Sequence, residues 1–535
     1  MGAESGLPFN SAIRCYKNDT LHTPETPDVI PGMVTVAMPV PSQVSVQDEI
    51  QLPSQEAVHQ SAMRYFEEVH SIYWLYSSEK FYSKLEETYR MPHQKLTASW
   101  SCSLYSILAI ANNGSPYPDG PQYNASPNEY LLCAKSLILS VCDEGSLDSV
   151  KAMILLATAM QSHGFSNAAY LYSGLAVQIA CSMGLHCDKY CISYGGVEKE
   201  HARRTWWALF MFDQDLSLRL GRPSAIEDSS NPPLPSERAS RTHLYHFFSH
   251  PTCLLTYILQ ILPSGPYSPP SYLASYVTLC KLARNVRSEL YKSPTLLGQQ
   301  LKMKIVDGVM TALQDWADTL PPHLNFSAPA APFFRRPIAA LHLKYHSIQL
   351  LICRPFLFYS LLCRKQSPGS AKLQGAEKFS AICLDSSERM LGILQTMVAD
   401  GLHSRQIALD FYYALDILQV FLSEFAVTKA EKQLESIRQS MKVLQSIGSA
   451  GCGEKMISEV HFQLMEWGVL SNSSNTLDSL QGLDTLFPAL HSVSDFYDLG
   501  ISIDDAPNAM FPDIDTSTDL VGEAMMRDIL QGPVQ

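Results

Sequence analysis

Residues 198–235 read EKEHARRTWWALFMFDQDLSLRLGRPSAIEDSSNPPLP, and this stretch decides the fold. Its large apolar residues recur at intervals of three and four, the period of an α-helix. Arg203, Trp207, Phe210, Gln214 and Ser217 line one side of that helix, and Trp206, Asp213 and Leu220 occupy the adjoining stripe. Two adjacent tryptophans bury large areas, but each indole N–H then needs an acceptor. Charges on such a helix need partners too. Arg203, Arg204, Asp213 and Arg222 are therefore expected to form one partly buried ionic and hydrogen-bonded network. Gly221 and Pro223 end the helix, because glycine accepts the left-handed backbone that closes a last turn and proline cannot continue the ladder.

The same period extends in both directions. Upstream, Val150, Met153, Ile154 and Ala157 mark one helix; after the turn HGFSN, the residues Ala168, Tyr172, Leu175, Ala176, Ile179 and Met183 mark a second. Together they predict an antiparallel hairpin that stops at Gly184. Tyr65, Val69, Ile72 and Tyr76 lie close to one face of a segment that starts near Gln55. Further helices are predicted over Ser101–Ala111, Tyr272–Leu290, Lys302–Leu320, Pro337–Cys363, Ala376–Val398 and Gln406–Val427, while alternating strands are scarce. The fold class is all-α: a large multi-helix regulatory body over 55–470, preceded by a flexible lead rich in Pro, Ser and Thr over 1–54 and followed by an acidic tail over 471–535.

Composition agrees with a folded body. Of the 535 residues, 46% are hydrophobic and only 17% charged, too apolar for a chain disordered throughout. The formal charge of -13 opposes whole-chain attraction to nucleic acid phosphates. Much of it lies in the tail, where eleven acidic residues face the single basic Arg527. Thirteen cysteines scattered from Cys15 to Cys452 suit a reducing compartment. The apolar stretches Cys253–Leu262 and Ser347–Cys363 are shorter than a bilayer crossing and read as buried core helices, so no membrane partner is expected. The amino-terminal MGAESGLPFNSAIRCYKND has no charged start followed by an apolar run, so no export is expected.

The order of these elements resembles that of the fungal-specific transcription factor domain, the regulatory region of many fungal zinc-cluster factors. The signature residues are Arg203, Arg204, Thr205, Trp206, Trp207, Asp213, Leu220, Gly221, Arg222 and Pro223. The helical pair ending in Gly184, Leu185 and His186 precedes them, and Tyr345, His346, Arg354, Pro355 and Phe356 follow. The resemblance covers roughly Ala57 to Cys363 and several fragments in order make it specific. It implies a nuclear regulator of RNA polymerase II transcription, in a metabolic or secondary-metabolite pathway. Its implied partners are other transcription factors or co-activators, with a homo- or heterodimer as the assembly.

One departure is plain. Members with a DNA-binding head carry six cysteines in a short basic stretch, paired as C-x-x-C, to hold two zinc ions. Here Cys15 is the only cysteine before Cys102, and no C-x-x-C occurs. Zinc is expected only if such a head precedes this sequence, and contact with DNA is expected to be indirect or weak. A DNA-binding-deficient co-regulator or inhibitor of a zinc-cluster factor is the alternative.

Other constellations carry less. His186, Cys187 and Cys191, with His201 nearby, have irregular spacing for a zinc clip and read as a half-buried loop. Asp213-Gln214-Asp215 and Asp504-Asp505 invite comparison with all-α magnesium-dependent isoprenoid enzymes, but two helix-borne clusters facing one cavity are missing. Gly164-Phe165-Ser166 lacks a nucleophile elbow, and no phosphate-binding glycine loop is present. Arg203-Arg204 and Arg335-Arg336 are too short for import signals. No catalytic, cofactor-binding or metal residue is assigned. The tail segments LDTLFPALHSVSDFYDLGISIDD and NAMFPDIDTSTDLVGEAMMRDIL mix aromatic and aliphatic residues with Asp, the composition of acidic activation segments.

Overall fold

Fourteen α-helices and no strand make up the described part of the chain in a computed structural model. It describes residues 51–91, 93–113, 123–187, 196–226, 232–234, 267–290, 303–366, 371–404 and 407–448. The expected lead, the acidic tail and the apolar stretch Cys253–Leu262 lie outside or almost outside them. No described helix is long and apolar enough to cross a membrane. The eight cysteines whose side chains are described are all free thiols.

Local chemistry explains where the helices start. Helix α1 (Gln55–Tyr65) is capped by the Ser54 hydroxyl, which accepts from the Ala57 N–H at 3.3 Å. Helix α2 (Ser78–Arg90) follows an irregular link, and α3 (Ala98–Ala111) is capped twice. Thr97 accepts from Trp100 N–H, and the Glu144 carboxylate accepts from Ala98 and Ser99 N–H. That carboxylate ends α5 (Ile138–Glu144), so two helices are joined through one negative charge at a helix amino terminus. Helix α4 (Pro127–Ser136) opens with a reciprocal Ser126–Glu129 capping box. Helix α6 (Leu147–Ser162) opens with the analogous Ser146–Ser149 pair.

Between α1 and α2 the predicted single face breaks. Phe66–His70 forms a π-helical turn, and residues 71–76 are irregular yet almost wholly buried. Tyr65, Val69, Ile72 and Tyr76 do all face the core. The wider turn seats Phe66 against Phe81, Tyr82 and Tyr267, with ring centroids 5.3 to 5.5 Å apart.

The predicted hairpin forms from α6 and α7 (Ser166–Ser182), but α7 is rotated from the expected face. Ala169, Ser173, Ala176, Val177, Ile179 and Ala180 are buried, whereas Leu175 points outward and Ala168 and Tyr172 sit at the edge. Small residues on the inner face let α6 approach closely. The stop at Gly184 is as expected. Its φ of 72° allows Leu185 N–H to reach the Ala180 carbonyl at 3.0 Å and Gly184 N–H to reach Cys181 at 2.9 Å.

Helix α8 (Gly196–Leu220) lies in the middle, against α6 and α7 on one side and α9 (Tyr272–Leu290) on the other. Helix α10 (Met303–Thr319) leads to the 35-residue α11 (Pro332–Gln366), which packs on α9, α10, α12 (Ala371–Ala399) and α13 (Ala408–Thr428). Helix α14 (Glu431–Ile447) closes this bundle against α12 and α13. One continuous core joins all of them.

Two tests follow from this packing. Gly184→Ala forces a side chain into a left-handed backbone and is expected to lower the unfolding free energy by about 1 kcal/mol. Gly392→Ala, inside α12 with open space around the added methyl, should raise it by a similar amount. Urea midpoints of the two variants shifting in the same direction would contradict the assignment. The second test concerns protons. Burial first and foremost lowers the pKa of His70 to about 3, and those of His201 and His346 to about 4. The unfolded rings titrate near pH 6.5, so stability is full above that pH and falls as the pH drops toward 4. Fully enclosed His70 contributes about 1.4 kcal/mol per pH unit to that slope. His70→Phe should flatten it, as measured by urea unfolding at pH 7 and pH 5.

Candidate functional site

The signature stretch folds as one helix and one turn, and almost every polar group in it is consumed internally. Helix α8 is buried on all sides from Arg204 to Ser217, so the two expected stripes do not distinguish an inside from an outside. Trp206 and Trp207 are 2% and 1% exposed. The Trp207 indole donates to the Pro233 carbonyl at 3.3 Å, and Lys281 lies over its ring.

The network expected among Arg203, Arg204, Asp213 and Arg222 is instead divided among different neighbours. Asp213 faces the turn that follows its own helix. Its carboxylate accepts from Ser224 Oγ at 2.6 Å, Ala225 N at 3.1 Å and Ile226 N at 3.2 Å, with Ser217 Oγ at 3.4 Å. Burial pushes its pKa up, opposed by those donors and by the Arg287 charge. Arg203 pairs with Glu200 at 3.1 Å. Arg204 lies buried, with its guanidinium over the Trp74 ring. Arg222 reaches back to Asn167 Oδ1 at the start of α7 and lies over Tyr170, whose hydroxyl donates to Pro223 O at 2.8 Å. Arg287 of α9 donates to Arg222 O at 3.1 Å. Gly221, at φ 58°, lets Arg222 N–H bond to Ser217 O at 3.0 Å. The Gly221-Arg222-Pro223 turn thus ties α7, α8 and α9 together.

Two residues on from Asp213 lies the residue that the sequence pattern did not single out as a hub. Asp215 Oδ1 accepts from Lys344 Nζ at 2.6 Å, and Oδ2 accepts from Tyr73 at 2.7 Å and Tyr276 at 2.9 Å. The Asp215 and Lys344 side chains are 4% and 3% exposed. Burial alone would drive the lysine neutral, but the facing carboxylate more than reverses this and holds its pKa above the ordinary value. Burial and the same negative charge raise both tyrosines well above theirs, so they remain donors. The one carboxylate joins α8, α9, α11 and the irregular segment after α1.

Helix α11 carries two more buried cations. Arg336 pairs with Asp410 at 2.9 Å and donates to Glu68 O, while Ser404 N–H and the Ser404 hydroxyl reach Asp410 and Glu68. Arg354 pairs with Asp416 at 2.8 Å. Eighteen residues separate the two arginines, about five helical turns, so both face α13 while Lys344 faces α8. Arg335 pairs with Asp400. The other late signature residues also pack inside: Tyr345 stacks on Trp316, His346 bonds Gln349, and Phe356 stacks on Phe379 within a helix that runs on through Pro355.

The weighed metal residues do not converge among the described residues. His186 packs against Trp206 and His201 against Trp74, and no group of three or more His, Cys, Asp or Glu side chains is placed to hold an ion. Cys191 and Asp504-Asp505 lie outside the described residues. Asp213 and Asp215 point to different partners rather than to one shared cavity. A lone lysine in the apolar run LHLKYH and an aspartate in FMFDQDLSL were the available signals for the hub, since such charges are almost never buried unpaired.

Comparison with known proteins gives the same family as the signature. Residues 62–318 match the model of the fungal specific transcription factor domain. Transcription factor FBD3 of Fusarium pseudograminearum is 26% identical over 266 residues, 48% of this chain and 34% of that protein. The lactose regulatory protein LAC9 of Kluyveromyces lactis is 28% identical over 204 residues, 37% of this chain and 22% of its own length. The thiamine repressible genes regulatory protein thi1 of Schizosaccharomyces pombe is 23% identical over 362 residues, 65% of this chain and 42% of its own. The chain therefore spans less than half the length of each of these relatives.

Breaking the buried pair tests its role. Asp215→Asn and Lys344→Met are each expected to lower the unfolding free energy by about 3–5 kcal/mol, because each strands the other group in the core. The double variant should cost at least about 1 kcal/mol less than the sum of the two. Urea unfolding followed by circular dichroism measures all three, and strictly additive losses would show that the two do not act as a unit.

Proposed function

We propose, for a chain whose residues 62–318 carry the fungal specific transcription factor domain, that it regulates transcription as a non-catalytic helical scaffold in the nucleus. The observation that carries the reading is that domain match, found on a fold whose signature residues hold helices together. Relatives named as transcription factors and regulatory proteins support it. So does the internal use of the acidic pair: Asp213 is committed to the turn over 224–226 and Asp215 to a lysine and two tyrosines.

In this reading the body works through its surface on RNA polymerase II transcription, with other transcription factors or co-activators as its partners. The acidic and aromatic residues after Ser471 act as an activating segment: Leu, Phe and Ile interspersed with Asp are a composition suited to a partner's apolar groove. Contact with DNA is then made through those partners.

Tethering tests this directly. The full chain fused to a heterologous DNA-binding domain is expected to change transcription of a matching reporter several-fold, and truncation after 470 should remove most of the activation. A reporter that does not respond to the full chain, expressed and folded, overturns the reading.

A further inference from the structure

Among the described cysteines, Cys181 and Cys187 are the pair that lies close together and within reach of solvent. Cys102, Cys280, Cys353 and Cys383 are buried, and burial pushes the Cys102 and Cys383 thiols up to about 12, where almost no reactive thiolate remains. Cys383 also raises the Cys353 thiol, after burial as the larger cause, but both are enclosed in the core. Cys133 and Cys142 are half-buried on different helices, α4 and α5, and their thiols are raised by burial and then by Glu129 and Asp143 respectively. Cys181 and Cys187 are half-buried as well, and one glycine holds both.

Gly184 lies three residues after the first and three before the second. Its N–H donates to the Cys181 carbonyl at 2.9 Å, and its own carbonyl accepts from the Cys187 N–H at 3.0 Å. The left-handed backbone at Gly184 reverses the chain between them, and the bond from Leu185 N–H to Ala180 O draws the returning segment over the last turn of α7. Two cysteines bonded to one residue across a reversal have the short backbone separation that a disulfide needs. Their side chains sense one another: burial raises the Cys181 pKa first, and a charge on Cys187 raises it further. Between them Leu185 is buried, and His186 sets its ring against Trp206, with centroids 6.2 Å apart. The turn thus pins the end of α7 to α8.

We propose that Cys181 and Cys187 form a thiol redox pair, which a hydroperoxide converts to a disulfide across the Gly184 turn. The thiolate of one cysteine attacks the peroxide, forming an S–O bond as the O–O bond breaks, and the departing alkoxide takes a proton and leaves as an alcohol. The second thiolate attacks the sulfenic sulfur, forming the S–S bond, and the hydroxide released leaves as water once protonated. Two thiols thereby lose two electrons and the hydroperoxide gains them. A dithiol reverses the reaction by exchange and is itself oxidised to a disulfide. In a reducing compartment the pair rests as thiols, and oxidation clamps the segment that carries Leu185 and His186. This chemistry does not depend on the role proposed in transcription.

Mass spectrometry of the full chain tests it, because Cys181 and Cys187 share one tryptic peptide, 152–189, with no other cysteine. The reduced chain is treated with tert-butyl hydroperoxide, alkylated in denaturant and digested. Peptide 152–189 should lose two hydrogens and take up no alkyl group, and dithiothreitol before alkylation should restore both sites. In at least one of the variants C181S and C187S, the remaining thiol should be captured by dimedone as a sulfenic acid. Backbone amides over 184–187 should exchange with deuterium several-fold more slowly in the oxidised chain. Both cysteines alkylated after the hydroperoxide, a link from this peptide to Cys191 or any other cysteine, sulfinic acid in place of the link, no dimedone capture in either variant, or unchanged exchange over the turn overturns the proposal.

Discussion

The carboxylate of Asp215 is the constraint around which the described body closes. A negative charge that deep is costly unless it is met by donors, and the three that meet it come from 142 residues before it and from 61 and 129 residues after it. No local structure satisfies Asp215. Only a chain that has brought the segment after α1, helix α9 and helix α11 to the same point does so. The hub therefore selects one arrangement of helices that apolar contact alone would leave loosely specified. Arg336 and Arg354 extend the same logic along α11, each meeting an aspartate of α13.

This wiring bears on where the domain ends. The family match stops at residue 318, yet Lys344 and Arg336 lie beyond it and bond to Asp215 and to Glu68 within it. Helices α11 to α14 share the continuous core with the matched region. The matched residues are thus part of a larger packed body that reaches Ile447.

Signature residues in such a body form joints between helices. Gly221, Arg222 and Pro223 form a turn held by Asp213 from inside, by Asn167 and Tyr170 from α7 and by Arg287 from α9. Trp206 and Trp207 are buried about four turns earlier on α8, against His186 and beneath Lys281.

Much of this was readable before any coordinates. Helical period placed α9 at Tyr272–Leu290 as observed, located α10, α11 and α13 to within a few residues, and identified Gly184 and Gly221 as stops. These features depend on short-range chemistry: side-chain spacing, caps, and the steric freedom of glycine. Which way a helix faces was less legible. In α7 the apolar residues run nearly all the way round, so spacing could not choose between Leu175 and Ala176, and packing against α6 and α8 decided it. Helix α8 was read as striped because its charges alternate with aromatics, but neighbours on every side bury both stripes. The sequence by itself determined an all-α chain, its helix ends, and the presence of charges that must find partners. The tertiary structure alone decided that Asp213 holds its own turn while Asp215 holds Lys344, because pairing across more than a hundred residues depends on how helices meet in space, and no local pattern encodes that distance.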